Sequence, residues 1–232
     1  MQIIKDLEQG SAEWQALRRC RITGTKLGDV MGSPLERIQL IADLISESGT
    51  EQTAMEKPTP EMERGSAEEE FGLKLFAERT GKKIERHGAW ISKERDWLMH
   101  SPDGVIKGKN GKFSEAVEIK SPKSKTLIFY KLANMIDPEE LNLSKSKQNI
   151  CGISPDYIWQ AINYFLVNPD LQTLHFGVYD VRFIEEDAKL YVVELKREDP
   201  DVQALIQRAE VALEQFRIDW LKWQDIVLPN NF

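Results

Sequence analysis

A chain of 232 residues with 41% apolar side chains, six Trp and nine Phe can bury a full globular core, as one large domain or two small ones. No apolar run approaches the roughly 18 residues of a membrane-spanning helix, and two isolated cysteines, Cys20 and Cys151, provide neither a disulfide framework nor a zinc or iron–sulfur site. A formal net charge of −7 argues against a generally cationic nucleic-acid surface, yet Lys107, Lys109, Lys112, Lys120, Lys123, Lys125 and Lys131 fall in one stretch, followed by Lys145 and Lys147, so a local basic path is available. The opening MQIIKDLEQG lacks a secretory pattern, and a reducing cytoplasm is the expected setting. No Gly/Ser/Pro linker divides the chain, which predicts a single domain over residues 1–232.

Residues 11–20, SAEWQALRRC, read as a helix capped by Ser11, with Trp14 and Leu17 on its apolar side. Arg18, Arg19 and Arg21 at its end are placed to complement a negative helix C-terminus. Residues 35–48 form an amphipathic core helix, with Leu35, Ile38, Ile41, Leu44 and Ile45 at helical spacing, and 49–63 is a polar connecting loop. The helix over 65–80 is ended by Gly81; Ser66 and Glu69 have the spacing of a capping box. Glu68, Glu69 and Glu70 stand in a row there, and periodicity does not choose between the first two. A strand is expected over 83–92. Residues 126–136 have helical character, and the excursion that follows to about 153 is long enough to be functional. Ser154-Pro155 opens a helix that Asn168-Pro169 stops, with Tyr157, Gln160 and Tyr164 sharing one side. Strands over 173–181 and 189–196 complete a sheet of about five strands, and a final helix from 201 to 223 carries a continuous apolar stripe. His87, His100 and His175 lack zinc-site spacing and read as structural.

The stretch with chemistry is 97–125, WLMHSPDGVIKGKNGKFSEAVEIKSPKSK, read as two short strands joined by a Gly- and Lys-rich turn. Asp103 lies near the end of the first strand; Glu118, Ile119 and Lys120 lie along the second. Strand alternation puts Glu118 and Lys120 on one face and the Ile119 side chain on the other. Two carboxylates with the Ile119 carbonyl suit a hard divalent cation, and an adjacent ammonium orients water or offsets charge developing on a phosphate. The competing reading is a turn Asp-Gly with a solvated Glu-x-Lys pair. The apolar neighbours in AVEIK favour a buried strand, where unpaired charges are costly.

Trp14-Gln15-Ala16-Leu17-Arg18, Ile22-Thr23-Gly24-Thr25, Gly65-x-x-x-Glu69, Ser101-Pro102-Asp103-Gly104, Glu118-Ile119-Lys120 and Tyr157-x-x-Gln160 resemble, in order, the motifs of the lambda exonuclease and YqaJ-like viral recombinase family. This family belongs to the PD-(D/E)xK superfamily. The resemblance implies an α/β fold, a central mixed sheet flanked by helices with a restriction-endonuclease-like core. It implies a Mg²⁺-dependent 5′→3′ exonuclease on double-stranded DNA, with Mn²⁺ as substitute and two ions. Asp103, Glu118, Glu69 and the Ile119 carbonyl would hold metal; Lys120 and Gln160 would position the water. Arg18, Thr25 and Ser101 would bind a 5′-terminal phosphate. A toroidal homotrimer, a single-strand annealing partner and a phage or prophage origin in a bacterial cytoplasm are implied in the same way. The alternatives are another PD-(D/E)xK enzyme, such as a sequence-specific endonuclease or junction resolvase, and a non-catalytic DNA-binding protein.

Overall fold

The computed structural model describes residues 1–51, 60–109, 111–137, 139–140 and 148–228, the side chains of 60–63 and 66 excepted. In chain order the elements are β1 (Gln2–Ile4), α1 (Ala12–Arg18), α2 (Gly24–Met31), α3 (Pro34–Gly49), α4 (Pro60–Thr80), β2 (Ile84–Glu85), β3 (Ala89–Ile91), β4 (Met99–His100), β5 (Gly104–Lys107) and β6 (Phe113–Lys120). There follow α5 (Ser124–Met135), α6 (Pro155–Val167), β7 (Thr173–Tyr179), α7 (Glu186–Lys189), β8 (Leu190–Lys196) and α8 (Pro200–Val227). A five-stranded sheet has the order β2-β5-β6-β7-β8; β6 and β7 are parallel and the other neighbours antiparallel. This is the mixed α/β sheet with flanking helices that the strand pattern predicts.

The central strand β6 is paired on both edges, so its alternating side chains enter two separate layers. Ala116 shares a core with Ile162 and Phe165 of α6 and Leu213 of α8, whereas Val117 and Ile119 pack with Leu73 and Phe76 of α4. Helix α4 lies directly on the strand at Gly72. A Cβ there would stand 2.7 Å from Ile119 Cγ2 and 3.0 Å from Tyr179 Cβ. On the opposite layer α8 buries Val202, Leu205, Ala209, Leu213, Phe216 and Trp220, the stripe expected of it, while Trp223 at its end is exposed. Each fully buried Leu or Phe of such a stripe contributes about 1.5–3 kcal/mol.

A second sheet, β1-β3-β4, does not follow from the strand pattern. It explains two departures from expectation. The segment 83–92 is not one strand: β2 joins the large sheet and β3 the small one. Likewise Met99 and His100 pair with β3, and the hairpin partner of β6 is β5, starting at Gly104. Asp103 therefore stands at the crossing between the two sheets, immediately before a strand rather than near the end of one. Ile22 forms a parallel bridge with Leu98, which ties the end of α1 and the start of α2 to the segment entering Ser101.

Two other expectations are corrected, and one helix was not foreseen. Residues 24–31 form the helix α2, which buries Gly24, Leu27 and Val30. Helix α4 begins at Pro60, so Ser66 lies inside it and is not an N-cap. The capping box occurs instead at α3, where the Glu36 N–H donates to Ser33 Oγ at 3.3 Å and the Ser33 N–H to Glu36 Oε2 at 2.6 Å. The helical reading of 126–136 agrees with α5. Most of the 49–63 loop, and 141–147 of the long excursion with Lys145 and Lys147, lie outside the described residues. Arg21 donates to the Leu17 carbonyl at the end of α1, as expected; Arg19 serves the end of α3 instead, donating to the Glu47 and Thr50 carbonyls.

Candidate active site

Glu118 is only 1% exposed. Its position on β6 turns it toward α6, where the polar side of that helix meets it. Oε1 accepts from Gln160 Nε2 at 2.6 Å and from Lys120 Nζ at 2.6 Å, and the Tyr164 hydroxyl donates to Oε2. Burial alone would raise the Glu118 pKa, but the Lys120 ammonium and the neighbouring His100 together outweigh it and hold the carboxyl at about 2. Burial likewise opposes the charge on Lys120; Glu118, Asp103 and Glu69 more than offset it and keep the amine above the usual lysine range. Lys120 is thus a donor of hydrogen bonds and positive charge, not a base.

Two further carboxyls adjoin this pair. Asp103 Oδ2 accepts from the Ile119 N–H at 2.8 Å, and the Asp103 N–H donates to the Tyr164 oxygen at 3.3 Å. Burial, and then the Glu118 charge, push Asp103 well above the ordinary carboxylate range. Glu69 reaches from α4 to within 4.0 Å of Lys120 Nζ. Burial raises its pKa, Lys120 opposes and Glu118 adds, leaving it at about 7. Geometry gives Glu68 and Glu69 different surroundings. Glu68 is bound by the Ser121 hydroxyl and by Arg64 at 3.3 Å, so it anchors the loop after β6, while Glu69 faces the lysine.

Three carboxyls thus share one ammonium. Among the described residues no three acidic, His or Cys side chains converge as a ready-made cage, because Asp103 is turned onto Ile119 and Glu118 onto Lys120, Gln160 and Tyr164. The donor set nevertheless fits a hard divalent cation: it is all oxygen, and burial together with the Glu118 charge resists ionisation of Asp103 and Glu69, which a cation would relieve.

The residues expected at a 5′ phosphate lie on neighbouring elements. Trp14 joins two of them: its Nε1 donates to Ser101 Oγ at 2.9 Å, and the Arg18 guanidinium lies 4.1 Å from the centroid of its ring. Burial lowers the Arg18 pKa, which an anionic partner would reverse. Thr25 is in the first turn of α2, with its hydroxyl 3.2 Å from that of Thr23. Next to it, Gly24 presses on the site. A Cβ would come within 2.8 Å of His100 Cε1 and 2.9 Å of Gln160 Cγ. Gly24→Ala is therefore expected to destabilise the protein by about 1–3 kcal/mol, lowering Tm by roughly 2–4 °C for each kcal/mol in a chain of this size. Calorimetry checks this, and an unchanged Tm would show that α2 moves away without cost.

Composition does not point to His100, Asn163, Trp14 or Ser121 as site residues. His100 is 2% exposed with Nε2 3.9 Å from Glu118 Oε2, and Asn163 bonds its other side. Tyr164 did carry a signal, its helical spacing from Gln160.

The mixed five-stranded sheet, with helices on both faces and an acidic cluster where β5 begins and β6 ends, places the chain in the α/β class. Residues 13–167, more than half of the chain and a span that includes Arg18 to Tyr164, match the model of the YqaJ-like viral recombinase domain, and the chain belongs to that family. No curated protein sequence matches at a significant level. The fold is similar to the crystal structures of LHK-Exo in complex with dAMP and of an alkaline exonuclease (LHK-Exo) from Laribacter hongkongensis. Each superposes with a TM-score of 0.70 at 22% identity, over 94% of this chain and 96% of that one. A phage related exonuclease from Haemophilus somnus 129PT aligns with a TM-score of 0.58 at 10% identity, over 87% of this chain and 95% of its own. At these identities the likeness establishes the shared fold.

Proposed function

We propose that this protein is a divalent-metal-dependent nuclease, acting as a single domain, that digests double-stranded DNA 5′→3′ from a phosphorylated end. Mononucleotides and 3′ single-stranded overhangs for phage-type recombination would be the products. The observation that carries this reading is the buried Glu118–Lys120 pair with Asp103, Glu69 and Gln160 around it. The family's recombinase character and the dAMP bound by LHK-Exo support it.

In this reading Asp103, Glu118 and the Ile119 carbonyl hold Mg²⁺ or Mn²⁺, with Glu69 and Asp103 supporting a second ion. A bound cation supplies Lewis-acid stabilisation of charge on the scissile phosphate. Lys120, kept protonated by its carboxylates, orients the attacking water and faces the phosphate as a fixed positive charge; Gln160 holds Glu118 and the water in register. Arg18 makes forked, charge-assisted bonds to a 5′-terminal phosphate, and Ser101 and Thr25 add donors. The first turn of α2, which carries Thr25, favours an anion as well. A homotrimeric ring, a single-strand annealing partner and a bacterial cytoplasm belong to the same proposal. Among the described residues no helix is long and apolar enough to cross a membrane.

The deciding experiment compares linear duplex with 5′ phosphate, linear duplex with 5′ hydroxyl and covalently closed circular duplex, each with Mg²⁺ and with chelator. Mg²⁺-dependent loss of the phosphorylated linear DNA, with the circle intact, is expected. Cutting of the circle would redirect the reading to an endonuclease, and no cutting to a DNA-binding protein. In the same assay Arg18→Ala is expected to reduce the preference for phosphorylated over hydroxyl ends by about tenfold or more, the equivalent of one charge-assisted bond of about 1.5–3 kcal/mol. An unchanged preference would remove Arg18 from the pocket.

A further inference from the structure

Helix α6 carries three polar residues into the site, Gln160, Asn163 and Tyr164, and only the first is accounted for by water positioning. Asn163 Nδ2 lies 2.8 Å from the Met99 carbonyl and 3.0 Å from His100 Nδ1. The carbonyl is an obligate acceptor, which fixes the amide nitrogen at that position; its second proton then goes to His100 Nδ1. The imidazole proton is therefore on Nε2. That atom is buried, has no hydrogen-bond partner among the described residues, and faces Glu118 Oε2 at 3.9 Å. Burial lowers the pKa of the ring.

Tyr164 is fully buried, its ring 3.7 Å between centroids from His100 and edge-on to Trp90 at 6.1 Å. Its hydroxyl donates to Glu118 Oε2 while its oxygen accepts the Asp103 N–H at 3.3 Å. One side chain thus holds both acid-bearing segments, the β4–β5 crossing and β6. A carboxylate otherwise rotates broadly about its last torsion. With Oε2 engaged by the Tyr164 hydroxyl and faced by the His100 N–H, Oε1 is the oxygen left toward Lys120 and Gln160.

We infer that Tyr164, backed by His100 and Asn163, is a positioning residue that fixes the Glu118 carboxylate and the Asp103 backbone for a divalent cation. This rests on the metal-dependent reading of the site. Partners behind a metal ligand are commonly worth 10–100-fold in metal affinity.

The test is calorimetric titration of the DNA-free protein with Mn²⁺, with Tm measured in chelator for every variant. Tyr164→Phe keeps the ring packing and is expected to weaken Mn²⁺ binding 10–100-fold. DNA cleavage by this variant should recover as Mn²⁺ is raised, with KM for DNA unchanged. A second pair, His100→Leu and His100→Gln, reads the imidazole: loss of about tenfold in the first and most of the affinity retained in the second, whose amide restores an N–H toward Oε2. Mn²⁺ affinity within twofold of the parent protein in both Tyr164→Phe and His100→Leu would overturn the positioning role while leaving the nuclease reading intact. Absence of Mn²⁺ binding by the parent protein would overturn both.

Discussion

Replacing Lys120 with alanine is expected to lower single-turnover hydrolysis of 5′-phosphorylated duplex by about 10³-fold or more, while affinity for the duplex persists. The ammonium is the only cation that the described structure sets against Glu118, Glu69 and Asp103 together, and it cannot be replaced by water without losing both its fixed position and its charge. Removing one partner of a buried ion pair leaves the other uncompensated, at a cost of about 3–5 kcal/mol. The variant should therefore melt lower than its parent in chelator. Saturating Mn²⁺ should return much of that loss, because the carboxylates then have a cation in place of the lysine. Rapid-quench hydrolysis, an electrophoretic binding assay and a melt with and without Mn²⁺ separate these effects. Hydrolysis within tenfold of the parent would remove Lys120 from the chemistry, whatever its structural contribution.

How far this site could be read beforehand depended on whether each residue's role follows from local periodicity or from contacts between distant segments. Glu118 and Lys120 are two apart on a strand, so alternation alone puts them on one face; the structure joins them at 2.6 Å. The mixed sheet, the shared side of Gln160 and Tyr164 on α6 and the stripe of α8 were legible for the same reason. Asp103 was legible as a residue type but not as a position, because the strand before it is two residues long and pairs with β3 rather than with β6. Helix α2 hid because GTKLGDVM begins with glycine, contains another, and has only Leu27 and Val30 as large buried side chains. The Ser66–Glu69 spacing met the local rule for a helix start that lies six residues earlier. His100 and Asn163 carry no pattern, and that of Trp14, an apolar helix position opening a family motif, says nothing of its contact with Ser101. Their partners are 63 and 87 residues away in sequence, and only the packing of α6 and α1 against the 99–103 segment reveals them.

The carboxylates that make the site useful should also make the metal-free protein less stable, and Asp103→Asn tests that directly. Folding raises the Asp103 pKa well above its ordinary value and takes Glu69 from 4.5 to about 7. Each folded carboxyl then holds a proton that the unfolded chain has released. Stability accordingly falls as pH rises from the unfolded pKa through the folded one, for Glu69 between roughly 4.5 and 7, with a slope of up to about 1.4 kcal/mol per pH unit for each group. Glu118 acts in the opposite sense, since its depressed pKa adds stability above about 4.5 that is lost as pH falls toward 2. In chelator the protein is thus expected to melt lower at pH 8 than at pH 6, and a divalent cation should remove most of the difference by drawing the protons off the folded site. Asparagine retains an oxygen to accept the Ile119 N–H but carries no charge, so Asp103→Asn should gain about 1 kcal/mol or more at pH 8 in chelator, roughly 2–4 °C in Tm. Its hydrolysis should fall on the order of 10³-fold, and its Tm should respond little to Mn²⁺. A variant that melts below its parent at pH 8 in chelator would mean that Asp103 contributes through its hydrogen bond and not as surplus charge. A full Mn²⁺ response in that variant would move the cation away from Asp103.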